Sequence, residues 1–139
     1  MAKHVSPGYH VLLDVAGVPR STCVDDAGLV KLLVAASERA GCTVINSVRY
    51  RFGHGSPDGC TAFVMLDESH VAVHSYADKG LLAVDVFVCG EHARRKSLAI
   101  VEEIRRFLPE GRFRESMLDR FVSVEDDVPT HSVLSVGEG

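Results

Sequence analysis

Residues 9–15, YHVLLDV, read as a strand that ends at Gly17-Val18-Pro19, where glycine and proline break the pattern. The rhythm then changes. Leu29, Leu33, Ala36 and Ala40 recur at helical spacing, Asp25-Asp26 offers a cap and first-turn negative charge, and Gly41 stands where a left-handed C-cap is wanted. This predicts a helix over 26–40. Residues 43–52, TVINSVRYRF, are rich in β-branched and aromatic side chains and give a second strand, closed by the loop GHGSPDG, which cannot continue a ladder. Three more strands follow closely at 61–67, 71–76 and 81–88, the last two joined by the turn-like Asp78-Lys79-Gly80. The pattern is an antiparallel meander.

Along 81–89 the residues Leu82, Val84, Val86 and Val88 share one face, and Ala83, Asp85, Phe87 and Cys89 share the other. Both faces are largely apolar, which predicts that both are covered. A second helix over 91–108 carries the stripe Leu98, Val101, Ile104 and Leu108, with Glu102, Glu103, Arg105 and Arg106 outward, and Pro109 and Gly111 end it. Residues 112–124 predict a last strand of mixed periodicity, and 125–139 read as a flexible tail. The order β-α-β-β-β-β-α-β predicts an α+β fold: a two-layer sandwich with a mainly antiparallel sheet and two helices on one face, forming a single domain over 1–124.

A length of 139 residues, 46% hydrophobic and 24% charged, leaves room for one domain with a real core and excludes disorder for the bulk of the chain. Net charge is −4, and the basic residues are scattered apart from Arg94-Arg95 and Arg105-Arg106, which argues against nucleic acid as a partner. No apolar run approaches the roughly 20 residues of a membrane span, and Ser6-Pro7-Gly8 follows the first residues in place of an export core. The expected location is the cytoplasm. Cys23, Cys42, Cys60 and Cys89 lie 19, 18 and 29 residues apart, which is neither a CxxC pair nor a zinc-ribbon pattern, so they read as free thiols.

Polar residues concentrate in the strongest β region: Asp67-Glu68-Ser69-His70, then His74, Tyr76, Asp78, Asp85 and Cys89. A sheet interior does not need them. Two readings stand: acid, hydroxyl, imidazole and thiol converge at adjacent strand ends as a catalytic constellation, or the segment is an ordinary solvated turn beside a buried thiol. His70 and His74 are four apart, a spacing that aligns ligands on a helix. Their run reads as extended and no third ligand accompanies them, so no metal is predicted. The glycines of 53–59 lack the Lys-Ser/Thr of a phosphate loop, and neither Ser56 nor Ser69 sits in a Gly-x-Ser-x-Gly elbow.

The run GCTAFVMLDESHVAVH, from Gly59 to His74, and AVDVFVCG, from Ala83 to Gly90, resemble the processing and active-site region of the small prokaryotic S-adenosylmethionine decarboxylases. The resemblance implies a self-processing proenzyme of polyamine biosynthesis. Ser69 Oγ would attack the carbonyl of Glu68, and elimination would leave a β chain, 1–68, and an α chain, 69–139, headed by a pyruvoyl group. His74 matches the histidine that removes the Ser69 α-proton, Thr61 the processing hydroxyl, and Cys89 the proton donor of the product carbanion, also placed to assist processing. The pyruvoyl carbonyl would form an imine with the substrate amine, so no added cofactor is expected. None of Lys3, Lys31, Lys79 and Lys96 has the setting of a cofactor-binding lysine.

For the substrate, Phe52, Tyr76 and Asp78 match the family's adenosyl contacts, although Ser75-Tyr76-Ala77-Asp78 replaces the usual Thr-Trp/Tyr-Pro-Glu run. The departures keep open a pyruvoyl-dependent decarboxylase of arginine or ornithine, with Asp78 facing a cation. A non-catalytic regulatory homologue is a third reading. The resemblance further implies a homodimer of αβ units with no metal or putrescine requirement.

Overall fold

The computed structural model describes residues 8–121. Its elements in chain order are β1 (Gly8–Ala16), α1 (Arg20–Cys23), α2 (Asp26–Arg39), β2 (Val44–Phe52), β3 (Gly59–Leu66), β4 (His70–Tyr76), β5 (Leu81–Cys89), α3 (Ala93–Phe107) and β6 (Arg112–Arg120). The strands form one sheet in the order β2-β3-β4-β5-β1-β6, antiparallel at every pairing. The predicted α+β sandwich is what forms, with one addition: the short α1 after Pro19, four residues with too little length to carry a period. The last strand ends at Arg120, and the expected tail, 125–139, lies outside the described residues.

Strand alternation decides which face is covered. Val11, Leu13 and Val15 of β1, Ala62 and Val64 of β3, Val71 and Val73 of β4, and Val84 and Val86 of β5 are buried beneath the helices. From α2 come Leu29 and Leu33, and from α3 Ile100 and Ile104, all buried. Each of the valine, leucine and isoleucine side chains among them contributes roughly 1.5–3 kcal/mol on leaving water. The α2 layer lies on β2 and β3, and α3 on β1 and β5. Asp25 caps α2 by accepting from Gly28 N at 2.9 Å, worth about 1 kcal/mol. A Cβ on Gly28 would lie 2.2 Å from Asp25 Oδ2, so glycine there keeps the cap possible. Gly41, at φ +94°, ends the helix as its pattern predicts.

Within one chain, the expectation that both faces of β5 are covered holds for one face only. Both long helices return on the same side of the sheet. The other face exposes Leu12 (40%), Val48 (60%), Tyr50 (61%) and Met65 (42%), which is a run of apolar surface too broad for scattered single residues. The polar residues picked out from the sequence stand on or beside this open face.

Candidate active site

Strands β3 and β4 are joined by only three residues, Asp67, Glu68 and Ser69, with Met65 opposite His70 and Leu66 N donating to Ser69 O at 2.9 Å. The Glu68–Ser69 bond is therefore at the tip of a tight hairpin. Ser69 Oγ accepts from the backbone N–H of Cys89 at 2.9 Å, which fixes the hydroxyl against the end of β5. Burial, reinforced by the neighbouring Glu68 carboxylate and opposed by Arg120, pushes the Cys89 thiol up, so it stays protonated around neutrality. On the helix side the turn opens into a cleft of about 210 Å³ whose walls include Cys42, Glu68, Ser69, Cys89 and Lys96.

Thr61 and His74 form a second pair. They are direct cross-strand partners on β3 and β4, and Thr61 Oγ1 shares a hydrogen bond with His74 Nδ1 at 2.8 Å on the exposed face. His74 lies five residues after Ser69, roughly 17 Å along an extended strand at about 3.3 Å per residue. The structure thus joins Ser69 with Glu68 and Cys89, and Thr61 with His74, but keeps the two groups apart within one chain.

The aromatic candidates stand at the His74 end. Phe52 and Tyr76 approach with ring centroids 6.5 Å apart and planes at 51°. Phe52 can lie there because Gly59 is its cross-strand partner: a Cβ at Gly59 would come within 2.5 Å of the Phe52 ring and 2.2 Å of Ser75 O. Asp78 follows in the β4–β5 turn, with its carboxylate 3.7 Å from Lys79 Nζ, and Gly80 closes that turn at φ +65°.

Between the two groups lies a network for which sequence reasoning gave no role. Arg120 Nη1 donates to His10 Nδ1 at 2.9 Å, so His10 Nε2 carries the ring proton and donates to Asp85. His70 Nε2 meets the other Asp85 oxygen at 3.3 Å, and Arg120 stacks on Phe87. The hydrogen bond from His10 holds the Asp85 carboxyl below its usual range, against the opposing effect of burial. His10 and Asp85 are 75 residues apart, and only the adjacency of β1 and β5 unites them. Lys96 and Cys42 were missed for the same reason, since they reach the Ser69 cleft from α3 and from the loop after α2. Among the described residues no group of three or more His, Cys, Asp or Glu is arranged to hold a metal, and no helix is long and apolar enough to cross a membrane.

Comparison with known proteins gives the same answer at three levels. The sequence model of the S-adenosylmethionine decarboxylase family matches residues 9–121. The S-adenosylmethionine decarboxylase proenzymes of Methanococcus vannielii and Methanococcus maripaludis are 37% and 36% identical over 101 residues, covering 73% of this chain and 79% of theirs. A further M. maripaludis strain has one that is 32% identical over 121 residues, 87% of this chain and 95% of its own. The crystal structure of the adenosylmethionine decarboxylase from Aquifex aeolicus superposes with a TM-score of 0.75 at 28% identity, covering 91% of this chain and 99% of that one. With the Glu68–Ser69 turn, the Cys89 thiol and the Thr61–His74 pair in place on this sheet, the chain belongs to the S-adenosylmethionine decarboxylase family.

Proposed function

We propose that this chain is a precursor that cuts itself between Glu68 and Ser69 and then decarboxylates S-adenosylmethionine, using a pyruvoyl group made from Ser69. The observation that carries this reading is the Ser69 hydroxyl held at a hairpin tip by the N–H of Cys89, whose thiol burial keeps protonated. The proenzyme names of the relatives support it.

Processing follows from those atoms. Ser69 Oγ attacks the Glu68 carbonyl carbon, the C–N bond breaks, and an ester to Glu68 forms while the Ser69 nitrogen becomes an amine. A base then takes the Ser69 α-proton and the Cβ–Oγ bond breaks. Glu68 departs as a carboxylate carrying the serine oxygen. The remaining enamine takes up water and releases ammonia, leaving a ketone at the head of the 69–139 piece. His74 is the base, its imidazole nitrogen suited to taking a proton from carbon, and Thr61 orients its ring.

The residues present suit a group at position 69: the Cys89 N–H holds it, and Cys89 and Lys96 both line the cleft it borders. A pyruvoyl ketone binds the substrate α-amine and draws in the electron pair left when CO₂ departs. Cys89 supplies the proton that quenches that charge. Tyr76 and Phe52 offer ring faces for adenine, and Asp78 a carboxylate for the ribose hydroxyls.

A homodimer completes the arrangement. The row Val48, Phe63, Ala72, Asp85, Leu12 crosses the open face through cross-strand pairs, midway between the two groups. A second copy related by a two-fold axis along that row lays the Thr61–His74 pair of each chain over Ser69 and Cys89 of the other. It also covers Leu12 and Val48, whose exposure is otherwise unfavourable.

The substrate is tested by offering carboxyl-labelled S-adenosylmethionine, arginine and ornithine in parallel. Labelled CO₂ is expected from S-adenosylmethionine, and release from an amino acid alone would overturn the assignment. Cys89→Ala is expected to keep cutting, because the hydroxyl is held by a backbone N–H that alanine retains. Its CO₂ release should fall about 100-fold or more, the scale of a lost general acid. Full turnover at normal pyruvoyl content would remove Cys89 as the donor.

A further inference from the structure

Self-cleavage, on which this inference rests, creates a charge that the intact chain does not have. As the Cβ–Oγ bond of Ser69 breaks, the backbone carbonyl of Glu68 becomes a carboxylate, beside a side-chain carboxylate already on the same residue. Two negative groups on one residue repel, and a leaving group in that position departs slowly unless a cation or donor receives it.

The cleft of about 210 Å³ behind the Glu68–Ser69 turn decides which group can do so. Several of its backbone donors are already committed to carbonyls, and the Cys89 N–H, which donates to Ser69 Oγ and can follow that oxygen onto the leaving group, carries no net charge. Gly41 N donates to Glu38 O at 3.0 Å, Cys42 N to Ser37 O at 2.9 Å, and Asp67 N to Thr43 O at 3.1 Å. Arg120 is near enough to influence the Cys89 thiol, but its guanidinium is bound to His10 and stacked on Phe87. Lys96 is different. It stands half-buried in the first turn of α3, its side chain lines the cleft with Glu68 and Ser69, and it makes no ion pair with any described residue. The cation is in place before the anion exists.

We infer that Lys96 receives the carboxylate leaving Ser69, and so drives the elimination step that severs the chain. Its ammonium gains a partner only as the C–O bond breaks, which is the condition for accelerating that step rather than stabilising the precursor. The preceding attack of Ser69 Oγ is set by the hairpin and the Cys89 N–H and does not need Lys96. Loss of the charge therefore stalls the chain as the ester.

An ester has the same mass as the amide, but hydroxylamine cleaves it. Wild type, Lys96→Met, Lys96→Gln and Lys96→Arg are followed by intact mass under denaturing conditions, with and without hydroxylamine. Wild type should appear as two chains, and Lys96→Arg should restore cutting because it restores the charge. Lys96→Met and Lys96→Gln should cut roughly 100-fold more slowly, the scale for losing one aligned donor. Their uncut chains should split with hydroxylamine into a 1–68 hydroxamate and a 69–139 piece that begins with serine. Cutting of both neutral variants at the wild-type rate would overturn the inference. So would uncut neutral variants that hydroxylamine leaves whole, since the block would then precede the ester. Wild type that never cuts would overturn self-cleavage itself, a result separable from any difference among the variants.

Discussion

Ser69→Ala is expected to remain one chain of full length at every incubation time, with no fragment ending at Glu68. The substitution removes the only atom of residue 69 able to attack the Glu68 carbonyl, and no neighbour can replace it: the Cys89 thiol is held protonated and belongs to another strand. The loss should be complete rather than partial. It should also be cleanly chemical, because the hairpin is closed by the backbone bond from Leu66 N to Ser69 O, which alanine keeps. The lost hydrogen bond from Cys89 N costs about 1 kcal/mol, too little to unfold a domain of this size. Intact mass and far-ultraviolet circular dichroism together check the result. Cutting between residues 68 and 69 in this variant would sink the assignment of Ser69 and the pyruvoyl reading with it.

The second large effect needs two defective chains. His74→Ala alone should stay uncut, for want of the base, and Ser69→Ala alone for want of the nucleophile. Mixed dimers should nevertheless contain one whole site, in which Ser69 of the His74→Ala chain meets His74 of the Ser69→Ala chain. Co-expression with tags of different mass should therefore yield cut His74→Ala chains beside intact Ser69→Ala chains. The change is from no product to as much as one cut chain per mixed dimer. If His74 acted within its own chain across the roughly 17 Å of strand that separate it from Ser69, mixing would rescue nothing. That outcome would dismiss the face-to-face dimer.

Much of this architecture was legible in the residues. The strands showed themselves by β-branched runs and alternation, and α2 by Leu29, Leu33 and Ala36 between Asp25 and Gly41. Both Asp25 and Gly41 do the capping work their types suggest. What escaped was non-local or too short. The four residues of α1 have no period to read. The alternation in β5 indicated two apolar faces, yet alternation cannot say whether the second cover comes from the same chain or another. Ser69, His74 and Cys89 were found together on a meander, which suggested convergence. Five residues of extended chain between Ser69 and His74 already place them far apart, so the separation was computable from spacing alone. The His10–Asp85–His70 bridge and the approach of Lys96 depend on strand order and on helix placement, which no local pattern contains.

Strand order also determines what maturation does to the chain as a folding problem. The piece ending at Glu68 contributes β1, β2 and β3, and the piece starting at Ser69 contributes β4, β5 and β6. In space β1 is threaded between β5 and β6, while β3 borders β4, so the two pieces are interwoven and not laid side by side. Severing one hairpin bond leaves every ladder in place, and the pieces cannot drift apart without stripping β1 from both neighbours. The asymmetry appears on unfolding. The precursor closes these pairings within a single chain, whereas the severed pieces, once separated, are two solutes that must find each other by collision. The proposed cut would thus convert a self-contained folding reaction into a concentration-dependent one, with the native sheet reached as one continuous chain a single time.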